Sequence, residues 1–156
     1  MIIGIGNDIC NIERIKRVHQ QFGVRFVKRI LTKAEQIEME KRSDKEAYLA
    51  KRFSAKEAIY KAIAAHISPP PSWHDAEILN DAHGKPIVSL SMRCHKALID
   101  HVTSLYAQEG YQEGHQEEYG ESNIAYHLSL SDDAPFAFSV FLVSTSPMVS
   151  PDIMPQ

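Results

Sequence analysis

Two carboxylates and two lysines stand where they could do phosphate chemistry. Glu57 and Lys61 are one turn apart in a helical pattern, and Lys56 adjoins Glu57. The three therefore share one short length of helix. A second carboxylate, Asp8, follows the apolar run Met1-Ile2-Ile3-Gly4-Ile5-Gly6. Two carboxylates suit magnesium, which is commonly held by one or two of them together with substrate phosphates. Lysines nearby would neutralise phosphate oxygens as charge builds on them. A plainer account uses the same residues: Glu57 and Lys61 as a solvated i,i+4 pair worth a few tenths of a kcal/mol, and Asp8 as a turn or N-cap aspartate. The small residues Ala50, Ala55, Ala58, Ala62 and Ala65 around Glu57 point instead to close packing on several sides.

Other chemistries lack their signatures. The eight histidines form neither HExxH nor a Cys/His zinc spacing. There is no GxSxG and no Walker A loop. Gly4-x-Gly6-x-x-Ile9 misses the third glycine of a dinucleotide fingerprint. A net charge of −3 argues against general nucleic-acid affinity. The two cysteines, Cys10 and Cys94, form no CxxC, which fits a reducing compartment. No apolar run is long enough to span a membrane, and the first residues lack the basic-then-apolar pattern of a signal peptide. A cytoplasmic protein without membrane or nucleic-acid partners is expected.

The elements that must position these residues follow from pattern. Ser43-Asp44-Lys45-Glu46 has the form of a capping box with Ser43 at its N-cap. From there no Gly or Pro intervenes before Pro69, which predicts a helix from about Asp44 to His66, roughly 34 Å long. Leu49, Phe53, Tyr60 and Ile63 supply its bulk. A short buried strand is expected over Met1–Gly6, with Asp8 just beyond it. One helical segment is expected over Asn11–Arg29, with Ile15, Phe22 and Phe26 among its inward residues. It carries Arg14, Lys16, Arg17, Arg25, Lys28 and Arg29 against only Glu13, a cationic face suited to solubility or to an acidic partner. Thr32-Lys33-Ala34-Glu35 predicts a helix to about Arg42. Two hairpins are expected: Ala76–Leu79 with Pro86–Ser91, and Ile124–Ser131 with Phe136–Val143, the latter turning at Asp132-Asp133-Ala134-Pro135. A helix over Met92–Tyr106 lies between them. The fold class is α+β, an antiparallel sheet packed on a long central helix. Residues 1–145 form one domain, 108–123 reads as a polar surface loop, and 146–156 as a disordered tail.

In combination these blocks resemble a known family. Gly4-Ile5-Gly6-Asn7-Asp8-Ile9 with Arg14-Ile15, Arg52-Phe53-Ser54-Ala55-Lys56-Glu57-Ala58 with Lys61-Ala62, Asn80-Asp81 with Gly84-Lys85-Pro86, and Ser129-Leu130-Ser131-Asp132 stand in order. They are similar to the holo-(acyl-carrier-protein) synthases, the small single-domain 4'-phosphopantetheinyl transferases. The resemblance implies transfer of the phosphopantetheine arm of coenzyme A to a serine of apo acyl carrier protein, with magnesium, in support of fatty acid synthesis. It implies Asp8 and Glu57 as magnesium ligands, and Lys61 on the coenzyme phosphates. Arg52, Lys56, Gly84, Lys85 and Pro86 match parts of the coenzyme site, and Arg14 lies against the acidic carrier. It also implies a homotrimer with active sites at subunit junctions. Where many relatives carry His after Ser-x-Ser, this chain has Asp132, which leaves the base open: Asp132, Glu57 through a water, or another group could take the serine proton. The residues alone also permit another magnesium enzyme acting on a nucleotide diphosphate, or a non-catalytic docking module.

Overall fold

In the computed structural model, which describes residues 1–108 and 124–145, ten principal elements follow one another. They are β1 (Ile2–Asn11), α1 (Ile12–Phe22), α2 (Val24–Ile30), α3 (Lys33–Glu40), α4 (Lys45–Ile63), β2 (Ala76–Asn80), β3 (Pro86–Leu90), α5 (Met92–Gln108), β4 (Ile124–Asp133) and β5 (Phe136–Thr145). One sheet has the order β1-β5-β4 and a second pairs β2 with β3. Every pairing is antiparallel. The α+β architecture is as expected, and the expected loop and tail fall outside the described residues except at Gln108.

Direct backbone packing joins α4 to β1. A Cβ on Gly6 would lie 2.0 Å from the Ala58 carbonyl oxygen, and one on Gly4 2.2 Å from that of Ala62. The two glycines, with no fingerprint role, let the strand lie against the helix. Strand β1 therefore continues past them, and Asp8 sits within it opposite Ser139, not beyond its end. The small residues of α4 serve the same contact: Ala55, Ala58 and Ala62 are buried beside Phe141 and Val143 of β5. A second cluster gathers Ile15, Val27, Ile30, Leu31, Leu49 and Cys10 under α1 and α2.

Three local expectations are corrected. Gly23, at φ +52, ends α1 and donates to the His19 carbonyl, so the basic segment is two helices. The N-cap of α4 is Asp44, whose carboxylate accepts from Ala47 N–H at 2.8 Å, and not Ser43. Phe22, expected inside, is exposed. The Thr32–Glu35 capping box is present. On the face of the sheet away from α4, Ile5 (64%), Ile9 (62%) and Phe138 (42%) stand open.

Candidate active site

Asp8, Glu57 and Lys61 meet where β1 crosses α4. The Asp8 carbonyl accepts from Ser54 Oγ at 2.9 Å, fixing the strand against the helix. Its carboxylate accepts from Lys61 Nζ at 2.9 Å, and the same ammonium donates to the Asn7 carbonyl at 2.9 Å. Glu57, one turn before Lys61, is half-buried, and its carboxylate accepts no hydrogen bond from the described residues. Burial pushes its pKa up and the neighbouring Asp8 charge adds to this, while Lys61 and Arg14 pull it down. Two crowded carboxylates, one without a donor, form a set of hard oxygens that a divalent cation would relieve. Among the described residues no larger acidic, His or Cys group is placed to hold a metal. Any cation here would thus be left positions for water or phosphate.

Arg14 borders this cluster. It is exposed in the first turn of α1, with its guanidinium 3.8 Å from Cys10 Sγ and over the Phe53 ring at 5.9 Å. Arg17, Arg25, Lys28 and Arg29 are exposed along α1 and α2, which preserves the cationic face across the break at Gly23. On the other side of Glu57 a cavity of about 260 Å³ is lined by Lys56, Tyr60, Ile63, Trp73 and Leu90 among others.

Arg52 belongs to a separate cavity of about 410 Å³, shared with Lys51, Asn80, Gly84, Pro86 and Asp132. Its guanidinium lies 4.5 Å over the Tyr48 ring and donates to Asn80 Oδ1 at 2.5 Å. Arg52 Nε is buried with no partner among the described residues, a spare donor suited to an anion. Asn80 in turn donates to the Gly84 carbonyl at 2.6 Å. Gly84, at φ +85, turns the chain between β2 and β3, and Asp81 closes that turn by accepting from the Lys85 N–H at 2.8 Å. Lys85 itself is exposed. Asp132, expected in a turn, lies in β4 opposite Ala137 and pairs with Lys51 at 3.0 Å.

Lys56 is corrected. Its ammonium was expected in the coenzyme site, but the side chain is 1% exposed and pairs with the fully buried Glu35 at 2.7 Å. Its remaining donors go to the carbonyls of Ile30 at 2.8 Å and Trp73 at 2.9 Å. An ammonium has three protons, so none is left for a phosphate. The predicted residues thus fall into two groups, Asp8–Glu57–Lys61 with Arg14 and Arg52–Gly84–Pro86 with Asp132. Lys51 and Trp73 were not anticipated in either.

Residues 4–119 match the model of the 4'-phosphopantetheinyl transferase superfamily. A holo-(acyl-carrier-protein) synthase of Paramagnetospirillum magneticum is 37% identical over 94% of this chain and 99% of its own length. One from Protochlamydia amoebophila is 52% identical over 58% of this chain and 75% of its own length. The Helicobacter pylori holo-(acyl-carrier-protein) synthase, solved in complex with coenzyme A, superimposes with a TM-score of 0.66 at 28% identity, covering 90% of this chain and 99% of that one.

Proposed function

The chain belongs to the 4'-phosphopantetheinyl transferase superfamily, and from that premise we propose that it acts as a holo-(acyl-carrier-protein) synthase. It transfers the 4'-phosphopantetheine group of coenzyme A to a serine of apo acyl carrier protein, releasing adenosine 3',5'-bisphosphate. The observation that carries this reading is the meeting of Asp8, Glu57 and Lys61 beside Arg14, at the edge of the cationic face. The serine oxygen forms a bond to the phosphorus bearing pantetheine, the diphosphate P–O bond breaks, and the serine proton passes to a base. Lys61 steadies the phosphate oxygens, and orientation supplies much of the remaining rate. Asp8 and Glu57 are the residues that would hold magnesium, which when bound supplies neutralisation of the diphosphate charge. Glu57 through a water is favoured as base over Asp132, because Asp132 is paired with Lys51 in the other cavity.

The cavity around Arg52, Asn80, Gly84 and Pro86 suits the nucleotide end of coenzyme A, with the unpartnered Arg52 Nε offered to a phosphate. Two separate half-sites are reconciled in a homotrimer, where one protomer's acidic cluster adjoins its neighbour's Arg52 cavity. The open Ile5, Ile9 and Phe138 face supports such assembly. The cationic α1–α2 face would receive an acidic carrier, and the setting is cytoplasmic fatty acid synthesis.

The test is intact mass measurement of apo acyl carrier protein after incubation with this protein, coenzyme A and magnesium. The reading expects a gain of one phosphopantetheine that a chelator abolishes. A verified apo carrier left unmodified by folded protein would overturn it. A gain that survives chelation would remove the metal.

A further inference from the structure

The Glu35–Lys56 pair lies outside the reacting cluster yet joins the elements that frame it. Lys56 on α4 donates to Glu35 of α3, to the Ile30 carbonyl at the end of α2, and to the Trp73 carbonyl. Glu35 accepts in turn from the N–H groups of Thr32 at 2.7 Å and Ile78 on β2 at 3.0 Å. Two of these ties lead straight to the site. Lys56 immediately precedes Glu57 on α4. Strand β2 runs on from Ile78 to Asn80, which holds Arg52. Trp73 also walls the cavity that Glu57 borders.

Stability alone gives a poor reason for this pair, since well-packed apolar side chains often replace a buried ion pair without loss of stability. Direction is what it adds: charged hydrogen bonds to backbone groups on four sides fix the rotation of α4 about its axis. We infer that Glu35 and Lys56 are positioning residues for the coenzyme side of the reaction, setting where α4 presents Glu57 and Arg52 against β2 and the Trp73 segment. The inference rests on the phosphopantetheinyl transfer reading, and neither residue touches substrate.

The test is the size-matched apolar double variant Glu35→Leu/Lys56→Met, measured beside wild type. A positioning role predicts a folded protein with a melting temperature near wild type. Its kcat/KM for coenzyme A falls about 10- to 100-fold, its magnesium requirement rises, and its KM for the carrier is unchanged. The emission of Trp73, the single tryptophan, should shift as its carbonyl loses the Lys56 bond. A folded double variant with kcat/KM for coenzyme A within twofold of wild type overturns the inference. So does a fall in kcat with both KM values unchanged, which means only fewer active molecules. If the double variant does not fold, Glu35→Asp decides by the same criteria, because its shorter carboxylate keeps the charge but cannot span all three donors. Absence of transfer by wild type overturns the reaction reading and this role with it. Transfer by wild type and unaltered transfer by the variant overturn the role alone.

Discussion

Gly6→Ala tests whether the β1–α4 contact sets the site. The new Cβ would lie 2.0 Å from the Ala58 carbonyl oxygen, 2.9 Å from the Ala62 nitrogen and 3.0 Å from the Ala58 carbonyl carbon. All three are backbone atoms, so no side chain can swing aside. Restoring even a tight contact of 3.0 Å at the oxygen requires strand and helix to part by about 1 Å. Overpacking of this kind costs typically 1–3 kcal/mol, and the backbone obstacle puts this case near 3. For a chain of this size that lowers Tm by roughly 6–12 °C. Activity should suffer more than stability, because β1 carries Asp8 while α4 carries Glu57 and Lys61. A 1 Å misplacement of reacting groups can cost about 100-fold in rate. Circular dichroism melts and intact-mass transfer assays at a temperature where the variant is folded would separate the two effects. Gly23→Ala is the control: nothing lies within 4 Å of its Cβ, but its φ is +52. With ψ at −134 as well, an alanine there should cost on the order of 1–3 kcal/mol and leave transfer within twofold. A Gly6→Ala protein that melts with wild type and transfers at the wild-type rate would refute the argument that this backbone contact positions the carboxylates.

Three further outcomes follow from the site. Glu57→Gln should abolish most transfer yet melt no lower than wild type in metal-free buffer, because the raised pKa means the folded state disfavours the ionised carboxylate. That relative gain is full above the raised folded pKa and fades as pH falls through the ordinary glutamate value near 4.3; near-wild-type turnover at saturating magnesium would sink the metal assignment. Arg14→Ala should raise the carrier KM several-fold, less so at high salt. Arg52→Lys keeps the charge but loses the fork, so the coenzyme A KM should rise about 10- to 100-fold with the carrier KM fixed; equal KM values would remove Arg52 from the coenzyme site.

Periodicity made most of the fold legible, and chemistry alone made only part of the site legible. The hairpins, α3 and the long α4 follow from alternation, capping residues and the prolines at Pro69–Pro71. Gly4 and Gly6 read locally as strand terminators, because the helix they admit lies more than fifty residues away in sequence. Gly23 carried a usable signal, since glycine just past a helical stretch is the commonest helix stop, yet the apolar pattern ran through it. Ser43 and Asp44 are both good N-caps, and sequence does not choose between neighbours.

Lys56 shows most clearly what sequence spacing can and cannot say about a site. Successive residues on an α-helix point about 100° apart, so the Lys56 ammonium and the Glu57 carboxylate are directed away from one another. With Glu57 and Lys61 one turn apart on the site face, Lys56 stands about 100° from the first and about 140° from the second, so it had to look elsewhere. What it met was Glu35, a capping-box carboxylate that local rules place on a surface and the fold buries at 0% exposure. Burial pushes the Lys56 pKa down and Glu35 pulls it back up, so the ammonium is held by Glu35 and two backbone carbonyls. The helical geometry was available from the spacing; the acceptor was not, because it came from tertiary packing. A lysine beside a reacting carboxylate therefore has two physically distinct uses, on phosphate or on framework. The face it occupies, rather than its place in a motif, decides between them.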